Sequence, residues 1–177
     1  SIDVSEYMVH LKGPDFPTGA NIHGIDGIRD MYETGHGRFH VRSQCEVHDD
    51  NDGKRIIITE IPYQVKKAGM LIGIAELVRK ETIKGIRDIR DEASKEGIRV
   101  VIEVKQNADP HAVLNQLYRS SRLQESYSAN MMGIINNEPI LLNLSIILHP
   151  YVRHREQVIR RRTQFELAKA EARAHVL

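Results

Sequence analysis

The stretch that most restricts the fold is Ile57–Val78, IITEIPYQVKKAGMLIGIAELV. With Ile56 it opens on the β-branched run Ile56–Thr59, the pattern of a strand buried on both faces. Pro62 removes a backbone donor and stops sheet pairing. After a short turn Ala68, Leu71, Ile72, Ala75, Leu77 and Val78 recur at helical spacing, which predicts a helix ending near Lys80. Tyr63, Gln64, Lys66 and Lys67 fall at its entrance, where outward-pointing N–H groups and the positive end of the helix dipole favour an anion. The plainer reading is a solvated turn with exposed lysines.

Around this segment the patterns alternate between helix and strand. Val4, Met8 and Leu11 share one side of a short helix that Ser1 or Asp3 could cap. Gly13–Gly19, GPDFPTG, is turn chemistry, and Ile25, Ile28 and Met31 mark a helix that Gly35 closes. From Arg38 to Val47 apolar and polar residues alternate, which predicts one half-exposed strand with a basic outer face carrying Arg38, His40 and Arg42. Asp49–Gly53 reads as a hairpin turn, Arg90–Gly97 as a solvated loop of mixed charge laced with weak ion pairs, and Ile98–Val104 as another strand. Asp109 and Pro110 start a helix, and Tyr127–Ile135 with Ile140–Leu142 form a second hairpin. The expected class is α+β, a mainly antiparallel sheet with flanking helices, over residues 1–143. Residues 144–177 read as a long helix in which Leu144, Tyr151, Val158, Phe165 and Ala172 fall seven apart, one seam of a coiled coil. Pro150 is expected to kink that helix or delay its start.

EIPYQVKKA, with GPDFPTG upstream and RRTQFELAKAEARAH downstream, closely resembles the A subunit of bacterial-type DNA gyrase and its topoisomerase IV paralogue. The resemblance continues through Asp88–Lys105, DIRDEASKEGIRVVIEVK, and Leu114–Met131, LNQLYRSSRLQESYSANM. Lys66 stands where the family pattern has asparagine, Ala20 where it has glycine, and His36 where it has arginine. The resemblance implies a tower domain followed by the first arm of a coiled coil, in the DNA breakage–reunion subunit of a type IIA topoisomerase. Its implied partners are double-stranded DNA, an ATPase B-type subunit and a second A-type subunit. Magnesium and ATP are implied to act through other domains, and the nucleophilic tyrosine is implied to lie upstream of Ser1. The chain is accordingly expected to be a fragment, catalytically inactive alone: it begins without methionine and stops at Leu177 inside a helical pattern.

Composition narrows the remaining classes. The net charge is +1, so any nucleic-acid role rests on local patches. The single Cys45 rules out an internal disulfide and suits a reducing cytoplasm, and no apolar run approaches the roughly 20 residues that span a bilayer. Nine histidines invite a metal reading, especially His36, His40 and His48, but no HExxH or paired-cysteine spacing accompanies them. Asp88, Asp91 and Glu92 are likewise assigned no metal. No catalytic residue is assigned, because none of the tyrosines has the upstream arginine and winged-helix setting of the family nucleophile. The DNA-contact candidates are Lys66 and Lys67, with Gln64 as a neutral donor, then Arg38 and Arg42. Arg153, Arg155, Arg160, Arg161 and Arg162 are read first as coiled-coil and tower-base ion-pairing residues, with a nucleic-acid-binding helix as the other reading. The competing class is a non-enzymatic interaction module that presents a basic α+β domain on a coiled-coil stalk.

Overall fold

The structure, a computed structural model, describes residues 3–177. In chain order its elements are α1 (Val4–His10), β1 (Asn21–His23), α2 (Ile25–Thr34), β2 (His36–Arg42), β3 (Gln44–Asp50), β4 (Gly53–Glu60), α3 (Lys67–Arg79), β5 (Ile86–Asp91), β6 (Val100–Val104), α4 (Pro110–Ser120), β7 (Gln124–Asn130), β8 (Met132–Ile135), β9 (Glu138–Leu141) and α5 (Leu144–Val176). Every strand pair is antiparallel, and the strands form three sheets: β1-β2-β7, β3-β4-β6-β5, and the ribbon β8-β9. The class is α+β with a long C-terminal helix, as the patterns predict.

Two hydrophobic cores follow from the sheets. In the four-stranded sheet Ile56, Ile58, Val100 and Ile102 point toward α3 and α4, where Met70, Ile74, Val113 and Leu117 meet them. Ile57 and Val101 lie on the other face, paired to each other in register between Glu46 and Arg90, and are still buried. There an ion-pair chain links Arg99 to Glu92, Glu92 to Arg90, Arg90 to Glu103 and Glu103 to Arg87. The aliphatic stems of such residues shield apolar surface while their heads stay wet, which explains a strand buried on both faces with helices on only one.

The second core joins α1, α2 and the start of α5 to the inner face of the three-stranded sheet through Ile28, Met31, Tyr32, Phe39, Val41 and Leu144. α2 reaches β2 at backbone distance. A Cβ on Gly27 would strike the Arg38 carbonyl, and one on Gly37 would strike the Gly27 carbonyl. Asp3 caps α1 by accepting from the Ser5 N–H; Ser1, the other expected cap, lies outside the described residues. Gly35 closes α2 at φ 84°, where a side chain would be strained.

Four expectations need correction. Arg38–Val47 is not one strand: β2 ends at Arg42 and β3 begins at Gln44, in different sheets. The pivot is buried Ser43, whose N–H and hydroxyl both donate to the Leu123 carbonyl. Because Ser43 points inward in phase with Val41 and Cys45, periodicity runs unbroken through a change of sheet. Tyr127–Ile135 is likewise two strands, parted at Met131, whose N–H donates to the Gly35 carbonyl. Arg90 and Asp91 are not loop residues but the end of edge strand β5, and the ion pairs expected of this stretch are present at both. Pro150 neither delays nor interrupts the last helix, which is capped by the Asn143 side chain and runs from Leu144 through the proline.

Candidate nucleic-acid interface

Strand alternation sorts the first sheet into two unlike faces. Gly37, Phe39 and Val41 of β2 face inward, with Tyr127 and Ala129 of β7 beside them. Outward go His36, Arg38, His40 and Arg42, and directly opposite them on β7 stand Asn130, Ser128, Ser126 and Gln124. β1 adds Asn21 opposite Arg42 and His23 opposite His40. The outward strand positions carry cations, imidazoles, hydroxyls and amides, and no carboxylate. Arg38 Nε donates to Ser126 Oγ at 2.8 Å, and Arg42 Nε to Gln124 Oε1 at 2.6 Å. Arg42 also lies over the Tyr118 ring, 4.9 Å from its centroid, a cation–π placement that fixes the side chain. Both guanidinium groups keep donors beyond these bonds.

The other candidates belong to a separate patch. Lys66 is exposed and occupies the N-cap position of α3 in extended backbone, with no side-chain bond to the helix. Lys67 is not a free ammonium: its Nζ lies 2.9 Å from Asp91 Oδ2, and this pairing, followed by the Ala93 N–H, holds the Asp91 carboxyl below its usual range. Gln64 is exposed at φ 67°, a left-handed position that turns the chain into the helix. The turn is anchored by Tyr63, whose carbonyl accepts from the Tyr127 hydroxyl and whose ring sits 5.6 Å from that of Phe16. Tyr127 belongs to the inner face of the three-stranded sheet, so the turn leading into Gln64, Lys66 and Lys67 is tied to that inner face at Tyr63, whereas Arg38 and Arg42 are on the outer one.

The two signature motifs therefore form one unit. Phe16 of GPDFPTG packs among Phe39, Tyr63 and Tyr127, and the Ala20 N–H donates to Glu60 Oε2 at 2.7 Å. Ala20 holds φ 73° at the position where the family pattern has glycine.

The residues that sequence reasoning missed are His23 and the polar row of β7. A three-residue strand is too short to show a period, which hides β1. The alternation of Ser126, Ser128 and Asn130 with Tyr127 and Ala129 was the available signal for β7.

Burial pushes the Cys45 thiol up to about 11, which leaves it un-ionised at neutral pH. Tyr118 and Tyr127 spend their hydroxyls on the carbonyls of Ser43 and Tyr63. Among the described residues no three His, Cys, Asp or Glu side chains converge on a metal-sized position, and Asp91 and Glu92 are taken up by Lys67, Arg90 and Arg99.

Comparison with known proteins decides the family. A family model for the A subunit of DNA gyrase and topoisomerase IV matches residues 1–177. The chain belongs to that family. The DNA gyrase A subunit of Clostridium acetobutylicum is 51% identical over 175 residues, covering 98% of this chain and 21% of that protein. Its counterpart in Halalkalibacterium halodurans is 49% identical over 176 residues, 99% of this chain and 21% of that protein. That of Staphylococcus epidermidis is 47% identical over 178 residues, 99% and 20% respectively. The chain thus spans about a fifth of the length of the gyrase A subunits it matches.

Proposed function

We propose that this chain supplies the DNA-holding tower of a cytoplasmic type IIA topoisomerase A subunit, with residues 1–143 as the tower and 144–177 as the first arm of a coiled coil. The observation that carries the reading is the outer face of β1, β2 and β7: cationic and hydrogen-bonding side chains with no carboxylate among the strand positions. Side chains of these types make the sequence-independent contacts to phosphate that position a duplex. Bending a gate segment costs on the order of 1–6 kcal/mol, and contacts along its arms offset that cost. In this reading the chain does no bond chemistry: the attacking tyrosine, the magnesium and the ATP-driven step of supercoiling belong to the rest of the enzyme, including its B-type ATPase subunit. In this reading Lys66 is a second, separate contact candidate, and Lys67 and Gln64 shape the turn that presents it.

The test is duplex binding by this chain across a salt series. Arg38→Gln, which leaves the sheet intact, should weaken binding and flatten the log–log salt slope by about 1. An unchanged slope would remove the outer face from the interface.

One observation favours protein partners as well. The ribbon β8-β9 exposes Met132, Ile134 and Leu141 on one face, Ile134 at 76% of its full area and Met132 at 61%. A second A-type subunit or the B-type subunit is the partner this family reading supplies, and the interaction-module alternative would use the same surface.

A further inference from the structure

Two exposed histidines sit directly opposite each other on the outer face: His23 of β1 and His40 of β2 are partners in register. Arg42, two residues along β2, faces Asn21 in the adjoining pair, and Arg38 lies two residues to the other side. We infer that His23 and His40 together contact the phosphodiester backbone of duplex DNA, His23 as the imidazolium, so that binding at this face strengthens as pH falls below neutrality. The inference rests on the reading of this face as the DNA contact.

The geometry supplies the reason. Side chains directly opposite on an antiparallel pair lie about 5 Å apart at Cβ, close enough for both rings to donate to one phosphate. Two like charges there repel when no anion is present. Among the described residues neither ring has a hydrogen-bond partner, whereas His36 Nδ1 lies 2.7 Å from Asn130 Oδ1. Among the described residues the outward strand positions of this sheet carry no carboxylate to neutralise the pair. Its outer-face neighbours are Arg42, Arg38 and neutral amides and hydroxyls. α2 packs on the opposite face, with Asp26, Arg29 and Asp30 exposed there. α4 contributes Tyr118 beneath Arg42, and Glu125 alternates to the inner side, where it pairs with Arg122.

Partial burial, then Arg42 and His40, hold the imidazole of His23 below its usual 6.5, so in the free protein it is neutral at pH 7.5. An arriving phosphate reverses the local field and favours the imidazolium. Binding therefore takes up protons. The added affinity is complete below the free-state value and is lost as pH rises through the higher bound-state value.

The deciding experiment measures anisotropy of a labelled duplex in chelator-containing buffer at pH 7.5 and pH 5.5, each across a salt series. The wild type is compared with the His23→Gln/His40→Gln double variant, and circular dichroism confirms its fold. The expected result is about a tenfold gain for the wild type at pH 5.5, with a salt slope steeper by about 1 for the added His23 contact. The double variant should bind with nearly the same affinity at pH 7.5 and pH 5.5, losing most of the gain. Equal wild-type binding at both pH values, or a full gain in the double variant, overturns the histidine contact and leaves the DNA-holding reading standing. No binding at either pH overturns both. If the double variant misfolds, NMR titration of the imidazole Cε1–H signals of the wild type decides: DNA should raise the His23 midpoint, and an unmoved midpoint refutes the contact.

Discussion

Two residues at which this chain departs from the family pattern sit where backbone conformation makes the departure costly. Lys66 occupies an N-cap, the position at which an asparagine side chain would accept from the first-turn N–H groups of α3. Lysine has no acceptor to offer there. Lys66→Asn should stabilise the fold by about 1 kcal/mol in urea titration while weakening DNA binding, two effects of opposite sign from one side chain. Equal urea midpoints for the two proteins would show that the helix entrance is satisfied by water instead. Ala20 holds a left-handed backbone secured by the Ala20 N–H to Glu60 bond and by Phe16 nearby. Such a conformation costs a residue with a Cβ roughly 1–2 kcal/mol, part of which glycine gives back through its freer unfolded chain. Ala20→Gly should therefore raise stability, by up to about 1 kcal/mol, and a lower melting temperature would contradict the strain argument.

At the scale of elements, glycines that look alike in sequence have opposite roles. Gly27 and Gly37 let α2 lie on β2 with backbone against backbone, so a methyl at Gly37 meets a carbonyl that cannot swing aside. Gly69 and Gly73 of α3 have nothing within 4 Å of an added Cβ. Gly37→Ala should destabilise by about 3 kcal/mol. Gly69→Ala and Gly73→Ala should each stabilise by up to about 1 kcal/mol, since alanine is the better helix former. Calorimetry on the three variants checks the sign of each. The same contrast explains why β2, a single stripe of alternating residues, can show a basic face outward. Its inner side is covered by a helix pressed close, and only the outer side is left for a ligand.

For the whole molecule, acid acts in two stages with one sign. His23 is held below its usual 6.5, so the unfolded chain binds that proton more readily; stability is full above 6.5 and falls as pH drops through the folded value. Glu103, held low by Arg87 and then Arg90, and Asp91, held low by Lys67, act in the same direction at lower pH. Their stabilisation is full above their ordinary 4.5 and 3.8 and is lost as pH falls further. Thermal melts of the free chain should thus decline below pH 6.5 and decline again below pH 4.5. With duplex DNA present the first decline should shrink, because the bound state keeps the His23 proton. A melting temperature that rises between pH 6.5 and pH 5 without DNA would contradict the sign.

By itself the sequence determined most of what is local: the strand–proline–helix core at Ile57–Val78, the caps at Asp109 and Gly35, the hairpin at Asp49–Gly53, and the long helix after Asn143. Hydrophobic period, capping chemistry and turn residues act over a few positions, so they can be read without knowing neighbours. It also placed Arg38 and Arg42 on a shared outward face, since strand alternation is a local rule. Only the tertiary structure decided that Ser43 divides one apparent strand between two sheets, because alternation is identical on either side of it. Lys67 is engaged by Asp91, 24 residues away, and His23 lies opposite His40, 17 positions on, through pairings that no window along the chain contains. Which charges stay free of a partner is a question of what lies across from them, and antiparallel pairing across loops of unlike length sets that only when the chain has folded.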